Sequence, residues 1–442
     1  MILMAEFLIE GGHPLKGEIA LLGAKNSSFK LMIAALLSNK ESILENVPKI
    51  KDVETTMEIV QALGGEVKKI NTHTFSISGK RISSFKIPQF LGEKSRSSFM
   101  FVGPLLNRFG RAVLPCPGGD KIGQRPIERH LEGLKTMGAE IDYQDGFFKA
   151  RTKKLKGSFY RFSKNTHTGT ETLIMISVLA HGKTVLENAA CEPEVDDLIS
   201  FLNKMGAKVK ITKPRRIEIQ GVRRLKGARH QVMFDRNEAV TFACAALGTK
   251  GEVFVRNAEE KNLTAFLEKL KEIGAGFKIE DSGIKFFYKT PLRAKSITTR
   301  PHPGFMTDWQ ALWSVLMTQA VGESVVQETI FENRFGYVPY LQKMGAKIEF
   351  FNPEVANPQE FYNFNLEDDC PEFFHAIRIF GPTTLNGAKI RIPDIRAGAT
   401  LTLAALTAKG KTILSNIEHI DRGYENLDDR LRSLGARIKR IE

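Results

Sequence analysis

The chain has 442 residues, 42% of them hydrophobic and 26% charged, the balance of a globular protein of two or three domains and not of a disordered chain. No apolar run reaches the ~18 residues of a spanning helix, and the opening MILMAEFLIEGG has neither the basic flank nor the small-residue cleavage site of an export signal. The net charge of +14 suits an anionic partner (nucleic acid, an anionic membrane or a phosphorylated small molecule) without choosing among them. The basic runs Arg151 to Lys156 and Lys213 to Arg216 fall between patterned elements, as solvated loops do, and no basic stripe interleaved with aromatics stands out. Cys116, Cys191, Cys244 and Cys370 form no CxxC pair and the nine histidines no HExxH. Neither a disulfide scaffold nor a zinc site is expected, and the expected location is the reducing cytoplasm.

Taken in order, the chain repeats itself. Six times an amphipathic stretch ends on a Leu/Met/Ile-Gly-small tripeptide and resumes as a strand, at Gly64, Gly138, Gly206, Gly274, Gly345 and Gly435. About ten residues of helix are predicted before each glycine, which supplies a left-handed C-terminal turn. In the third copy Val195, Leu198, Ile199, Leu202 and Met205 line one helical face; Leu263, Phe266, Leu267, Leu270 and Ile273 do so in the fourth. Upstream of each outer helix lies another, apolar nearly all round, as in SSFKLMIAALL, TETLIMISVLA and ATLTLAALTA, and such a helix is buried on all sides. Each ~70-residue repeat therefore reads as strand, buried helix, strand, outer helix and two strands, and must stack on its neighbours. The expected fold is α/β, two domains of three βαβαββ units each, with the apolar helices buried. The fifth copy carries an insertion, roughly 352–381, of unassigned role.

The repeat supplies its own control. Where the outer-helix pattern begins, the copies have Val53, Ile127, Val195, Leu263, Arg334 and Tyr424. Arg334 breaks an apolar register, which is costly unless it is paired or faces a cleft. Arg125 and Arg422 stand just before that position in the second and sixth copies, where a helix N-terminus favours phosphate or carboxylate. The buried helices begin at Lys25-Asn26, Arg96, His167 with Gly169, Asp235-Arg236, Asp308, and Asp394 with Arg396. Converging starts of this kind would gather cations, carboxylates and backbone N–H groups around a multiply charged anion, with acid–base chemistry and no metal. Structural salt bridges are the competing account. PCPGGDKIGQR, residues 115–125, reads as a Gly-rich loop with Asp120 and Lys121 at its tip, either a lid or a plain solvent loop.

These residues resemble the UDP-N-acetylglucosamine 1-carboxyvinyltransferase family of enolpyruvyl transferases from Phe7 to Ile441. The carriers are GGHPLKGEIALLGAKN, PGGDKIGQRPIERHLEGL, ENAACEPEVDDL, HPGFMTDWQA, FENRF, PDIRAGATL and HIDRGYENLDDRLRSLGA. The resemblance implies an inside-out α/β barrel in each of two domains. The chain would cross twice, giving 25–232 with a lid loop at 114–125, and 1–24 plus 233–442. It also implies transfer of enolpyruvyl from phosphoenolpyruvate to the sugar 3-hydroxyl by addition and elimination, with no metal or cofactor. By motif, Lys25, Arg125 and Arg422 would hold phosphoenolpyruvate, with Arg334 and Arg396 supporting the anion field. Asn26 would contact substrate and Asp308 would be the base at the hydroxyl. Arg96, the run Arg125, Pro126, Ile127, Glu128 and Arg129, then His130, the run Asn165, Thr166, His167, Thr168 and Gly169, and Ile330 would bind the UDP-sugar. Asp394 would line the cleft.

Asp120 departs from the family, which usually has cysteine at this lid position. As general acid it needs a pKa raised above the ordinary ~3.9, and without sulfur it would escape alkylation by fosfomycin. Asn165, where the family often has a basic residue, and Val240, in place of a glycine, are further departures. The alternatives are the shikimate-pathway enolpyruvyl transferase, whose GNAGT-type run is not seen here, and a non-catalytic paralogue that binds nucleic acid or another anion. Neither a nucleic-acid nor a membrane partner is expected, and nothing in the sequence sets the oligomeric state.

Overall fold

A computed structural model describes residues 5–118, 123–124 and 126–441. The chain divides into two compact units, one of Met1–Leu21 and Phe234–Glu442 with the described Gly123 and Gln124, the other of Leu22–Gly119 and Pro126–Met233. The unit boundaries thus fall at 21/22 and 233/234, where 24/25 and 232/233 were expected. The reason is local: the Ala24 N–H donates to the Met233 carbonyl at 2.7 Å, and a Cβ on Gly23 would meet the Asn46 carbonyl oxygen at 1.7 Å, so this corner is held to the second unit. Gly123 and Gln124, expected in the second unit's lid loop, count with the first because the Gln124 N–H donates to Glu332.

Each unit holds three sheets among the described residues and its own apolar core. The third repeat shows the plan. Strand Phe159–Arg161 leads through helix His167–Ser177 to strand Lys183–Glu187, which pairs parallel with it. Helix Pro193–Lys204 and the antiparallel strands Lys208–Lys213 and Arg216–Gln220 complete the unit. Where the chain changes unit, the first strand of a repeat stays in the unit being left: Lys16–Ala20 pairs with Glu252–Arg256, and Arg229–Gln231 with Ser42–Glu45. The sixth sheet is completed by the N-terminal strand Glu6–Glu10, inserted between Lys411–Ser415 and Arg437–Ile441. In the first unit the helices Arg236–Gly248, Thr307–Gln319 and Ile395–Thr407 pack on one another and bury nearly every residue, as the all-round apolar pattern requires. The expected six-unit, helices-inside α/β architecture is the one found.

All six repeat glycines adopt positive φ, from 79° at Gly274 to 102° at Gly345. In every copy the glycine N–H donates three residues back and the following N–H five back, as Gly206 to Asn203 at 2.9 Å and Ala207 to Leu202 at 3.0 Å. This is the Schellman turn, and it closes each outer helix in the same way.

Two expected details differ. The outer helices of the fifth and sixth copies are short, Val338–Lys343 and Leu427–Ser433. Pro339 lacks the N–H of a helix interior and so marks a first turn, while Asn426 sits left-handed at φ 46° and admits no helix through it. The second buried helix opens as a 3₁₀ segment, Arg96–Phe101, before the α-helix Val102–Phe109; Pro104 cannot donate back into a continuous α-helix there. Among the described residues no helix is long and apolar enough to cross a membrane.

Candidate active site

In the first unit the buried-helix starts meet. Asp308, in the first turn of its helix, accepts at Oδ1 from Arg396 Nε at 3.0 Å and from Arg334 Nη2 at 3.3 Å. Arg334 is buried like its five apolar counterparts, so the break in register is a cation held inside the protein by pairing. Its Nε reaches Thr307 Oγ1 at 3.3 Å. Asp394 caps its helix, Oδ1 accepting from the N–H groups of Arg396 and Ala397 at 2.8 and 3.0 Å, and Asp235 caps Arg236–Gly248 likewise. Trp309 Nε1 donates to Asn237 Oδ1 at 3.0 Å and ties two of the three helices together. Tyr424, at Arg334's register position in the sixth repeat, shares a 2.8 Å hydrogen bond with Thr241. Arg422 is half-buried and caps the C-terminus of the short helix Glu418–Asp421, not an outer-helix start as expected. The bend forced by Asn426 separates it from Leu427–Ser433.

Two carboxylates here were not foreseen. Glu328 is fully buried. It accepts from the N–H groups of Ile330 and Phe331 at 2.7 and 3.2 Å and from Thr307 Oγ1 at 2.8 Å. Desolvation raises its pKa, against the pull of Arg334. It shapes the turn that carries Ile330 and Arg334. Glu332, also buried, accepts from the Gln124 N–H, and a Cβ on Gly123 would strike its carboxyl oxygens at 2.5 Å. Burial raises its pKa, and Asp368 and Asp369 of the insertion push the same way.

The insertion backs this turn. The Asn363 N–H donates to the Thr329 carbonyl at 2.7 Å and the Glu328 N–H to the His375 carbonyl at 2.8 Å. Tyr362, Phe364 and His375 stack with centroids about 5 Å apart, and His375 Nε2 reaches Asp369 Oδ2 at 2.9 Å.

In the second unit Lys25 opens its helix ion-paired to Asp52 at 2.7 Å, and beside Asn26, Ser27 donates to Asp197. Thr166 caps the His167–Ser177 helix, its Oγ1 accepting from the Gly169 N–H at 3.3 Å; a Cβ on Gly169 would meet Thr166 Cγ2 at 2.4 Å, so the cap needs glycine there. Asn165 Nδ2 contacts the Asn188 carbonyl at 3.4 Å. His130 lies beneath the surface, Nε2 3.1 Å from Thr168 Oγ1 and the ring edge-on to Phe99. Burial, then Arg96 and Arg129, push its pKa down to about 3, so it is neutral at pH 7. Arg96 and Arg129 are half-buried, and Pro126, Ile127 and Glu128 lead into helix Glu128–Thr136. Asp120, Lys121 and Arg125 lie outside the described residues. The other residues singled out from sequence fall into these two sets, each within its own unit. The unforeseen Lys30 and Glu171, buried in the second unit, pair at 2.6 Å.

The chain belongs to the EPSP synthase (3-phosphoshikimate 1-carboxyvinyltransferase) family, whose model matches residues 9–431. Among its relatives, a UDP-N-acetylglucosamine 1-carboxyvinyltransferase of Bdellovibrio bacteriovorus is 42% identical over 437 residues, covering 98% of this chain and 100% of the relative. One from Protochlamydia amoebophila is 40% identical, covering 98% of this chain and 94% of the relative. Among solved structures, the enolpyruvyl transferase NikO from Streptomyces tendae superposes with a TM-score of 0.86 at 23% identity, covering 99% of both chains. EPSP synthase from Acinetobacter baumannii gives 0.72 at 18%, covering 99% of this chain and 100% of that one. These two likenesses define the fold.

Proposed function

We propose that this chain transfers the enolpyruvyl group of phosphoenolpyruvate to the 3-hydroxyl of UDP-N-acetylglucosamine and releases phosphate, a cytoplasmic step toward peptidoglycan. The observation that carries the reading is Asp308, a carboxylate fixed at a helix start by Arg334 and Arg396. The names of relatives at 40–42% identity set the acceptor.

Phosphoenolpyruvate is a multiple anion, and Lys25, Arg125, Arg422 and Arg396 are the cations assigned to its phosphate and carboxylate. Asp308 takes the hydroxyl proton as the oxygen bonds to C2 of phosphoenolpyruvate, while Asp120 delivers a proton to the C3 methylene. The tetrahedral adduct then loses a C3 proton, which the carboxylate left on Asp120 takes back, and expels phosphate, forming the enol ether of the product. The run 165–169 with Arg96, Arg129 and Ile330 is assigned to the UDP-sugar, with Asn26 at substrate and His130 supporting from beneath. Asp120 must carry its proton at neutral pH, which a closed, water-poor surrounding would favour.

The test is phosphate release from phosphoenolpyruvate. Release should require UDP-N-acetylglucosamine, ignore fosfomycin, and fall about 10²–10⁴-fold in Asp308→Asn. Asp120→Cys should make it fosfomycin-sensitive. Release with 3-phosphoshikimate instead of the UDP-sugar would reassign the acceptor, and no release with either would end the enzymatic reading.

A further inference from the structure

Lys30 is the one charged side chain in the apolar stretch SSFKLMIAALL, and it is wholly buried, 1% exposed. Its Nζ lies 2.6 Å from Glu171 Oε1 and 3.0 Å from His167 Nε2. Glu171 Oε1 is itself 3.2 Å from that same His167 nitrogen, and Glu171 Oε2 has no hydrogen-bond partner. A buried ion pair with an unsatisfied oxygen gains little over two apolar side chains of the same volume, so stability alone does not explain it. What the pair does is surround one atom, His167 Nε2, with a donor on one side and an acceptor on the other.

That arrangement sets the other ring nitrogen. In the neutral ring Lys30 donates to Nε2, which leaves the proton on Nδ1; a proton on Nε2 would face an ammonium 3.0 Å away. In the charged ring Nε2–H donates to Glu171, and Nδ1 again carries a proton. Nδ1–H is therefore a donor in both states. No described residue accepts from it, and the side chain is 24% exposed at the first residue of its helix. Lys30, Glu171 and Glu192 are the charged groups acting on the ring, and on balance they raise its pKa despite burial.

We propose that Lys30 and Glu171 are positioning residues that hold His167 as a permanent Nδ1–H donor to an acceptor oxygen of the nucleotide sugar, either a diphosphate or a uracil oxygen. The inference rests on the proposed function for its ligand.

Titration calorimetry of the full chain with UDP-N-acetylglucosamine, UDP and uridine from pH 5.5 to 8.5 tests it. Wild type should bind with a Kd that changes less than about threefold over this range. In Lys30→Met a neutral His167 is free to turn its proton to Nε2 and Glu171, so affinity should match wild type while the ring is charged and fall about tenfold once it is neutral, the worth of one hydrogen bond. Because Lys30 is one of the groups that lower the ring's pKa, that fall is read against the nitrogen-15 titration of His167 in the same variant. Lys30→Arg should restore the flat profile, and His167→Ala should weaken binding at every pH. Loss for UDP but not uridine assigns a diphosphate oxygen; loss for both assigns uracil. Lys30→Met/Glu171→Met, which removes both buried charges and both side-chain partners of Nε2, replaces Lys30→Met if that variant does not fold, and should also weaken once the ring is neutral, because no donor then holds the proton on Nδ1. Nitrogen-15 spectra of the His167 ring in wild type should show the Nδ1–H tautomer. An Nε2–H tautomer, or loss of affinity uniform in pH, overturns the proposal while leaving the transferase reading intact. Absence of UDP-sugar binding by a folded wild type overturns both.

Discussion

Arg334 Nη2 lies 3.3 Å from Asp308 Oδ1, joining the turn before one outer helix to the first turn of a buried one. The other five repeats fill Arg334's position with a buried apolar or aromatic side chain, so Arg334→Leu restores the register. It should nonetheless destabilise, by roughly 3–5 kcal/mol, because it strips the guanidinium from the half-buried carboxylate of Asp308 and the buried one of Glu328. Urea unfolding measures the loss, and phosphate release should vanish with it. A variant as stable as wild type would mean that the cation does not hold these carboxylates.

Lys25 and Asp52, 2.7 Å apart and each little exposed, form the corresponding pair in the second unit. Asp52→Asn should leave the fold in place but let the lysine wander, lowering kcat/KM for phosphoenolpyruvate about tenfold. Steady-state kinetics with each substrate varied in turn would show it, with the KM for the UDP-sugar little changed.

Much of this was legible because the chain carries six copies of one pattern. The glycines 64, 138, 206, 274, 345 and 435 announced six identical turns, and Arg334 was visible only as an exception among five apolar counterparts. What stayed hidden needs three dimensions. Lys30, Glu171 and Glu328 are single charges in apolar or strand-end segments, and nothing local shows that the first two close on His167 or that Glu328 folds back on Ile330. The short fifth and sixth outer helices were hidden for a different reason. Their apolar spacing persists through turns that Pro339 and Asn426 keep from being helical.

The repeat turn itself can be tested at Gly206, where φ is 98° and nothing lies within 4 Å of an added Cβ. Gly206→Ala should cost about 1–2 kcal/mol through the backbone alone, without change in kcat. At Gly169 φ is not positive but the Thr166 methyl would be struck, so Gly169→Ala should disturb the helix start and raise the KM for the UDP-sugar. Unfolding curves and kinetics on the pair separate the two effects.

His130 gives the acid side of the stability profile. Its folded pKa of about 3 lies below the 6.5 of an ordinary histidine, so the unfolded chain binds its proton first. Its contribution is full above pH 6.5 and is lost as pH falls toward 3, at up to about 1.4 kcal/mol per pH unit. His130→Gln, which can still reach Thr168, should flatten that part of the curve in urea unfolding between pH 6.5 and 4. Equal slopes would place the acid sensitivity elsewhere.

The insertion offers the last test. Tyr362 is 5% exposed in the stack with Phe364 and His375, and the next residue donates to Thr329 at 2.7 Å. Tyr362→Ala removes a buried ring and should cost about 3 kcal/mol. If the insertion only covers a sheet edge, the damage stays local and activity survives in the folded fraction. If it braces the turn that carries Glu328, Ile330, Glu332 and Arg334, amide exchange should quicken across 328–334. The kcat/KM of the folded enzyme should then fall, because a shift of about 1 Å in Arg334 misplaces the group that fixes Asp308. Hydrogen exchange read at 328–334, beside kinetics corrected for folded fraction, decides between the two, and the hydrogen bonds at Thr329 and Glu328 favour the brace.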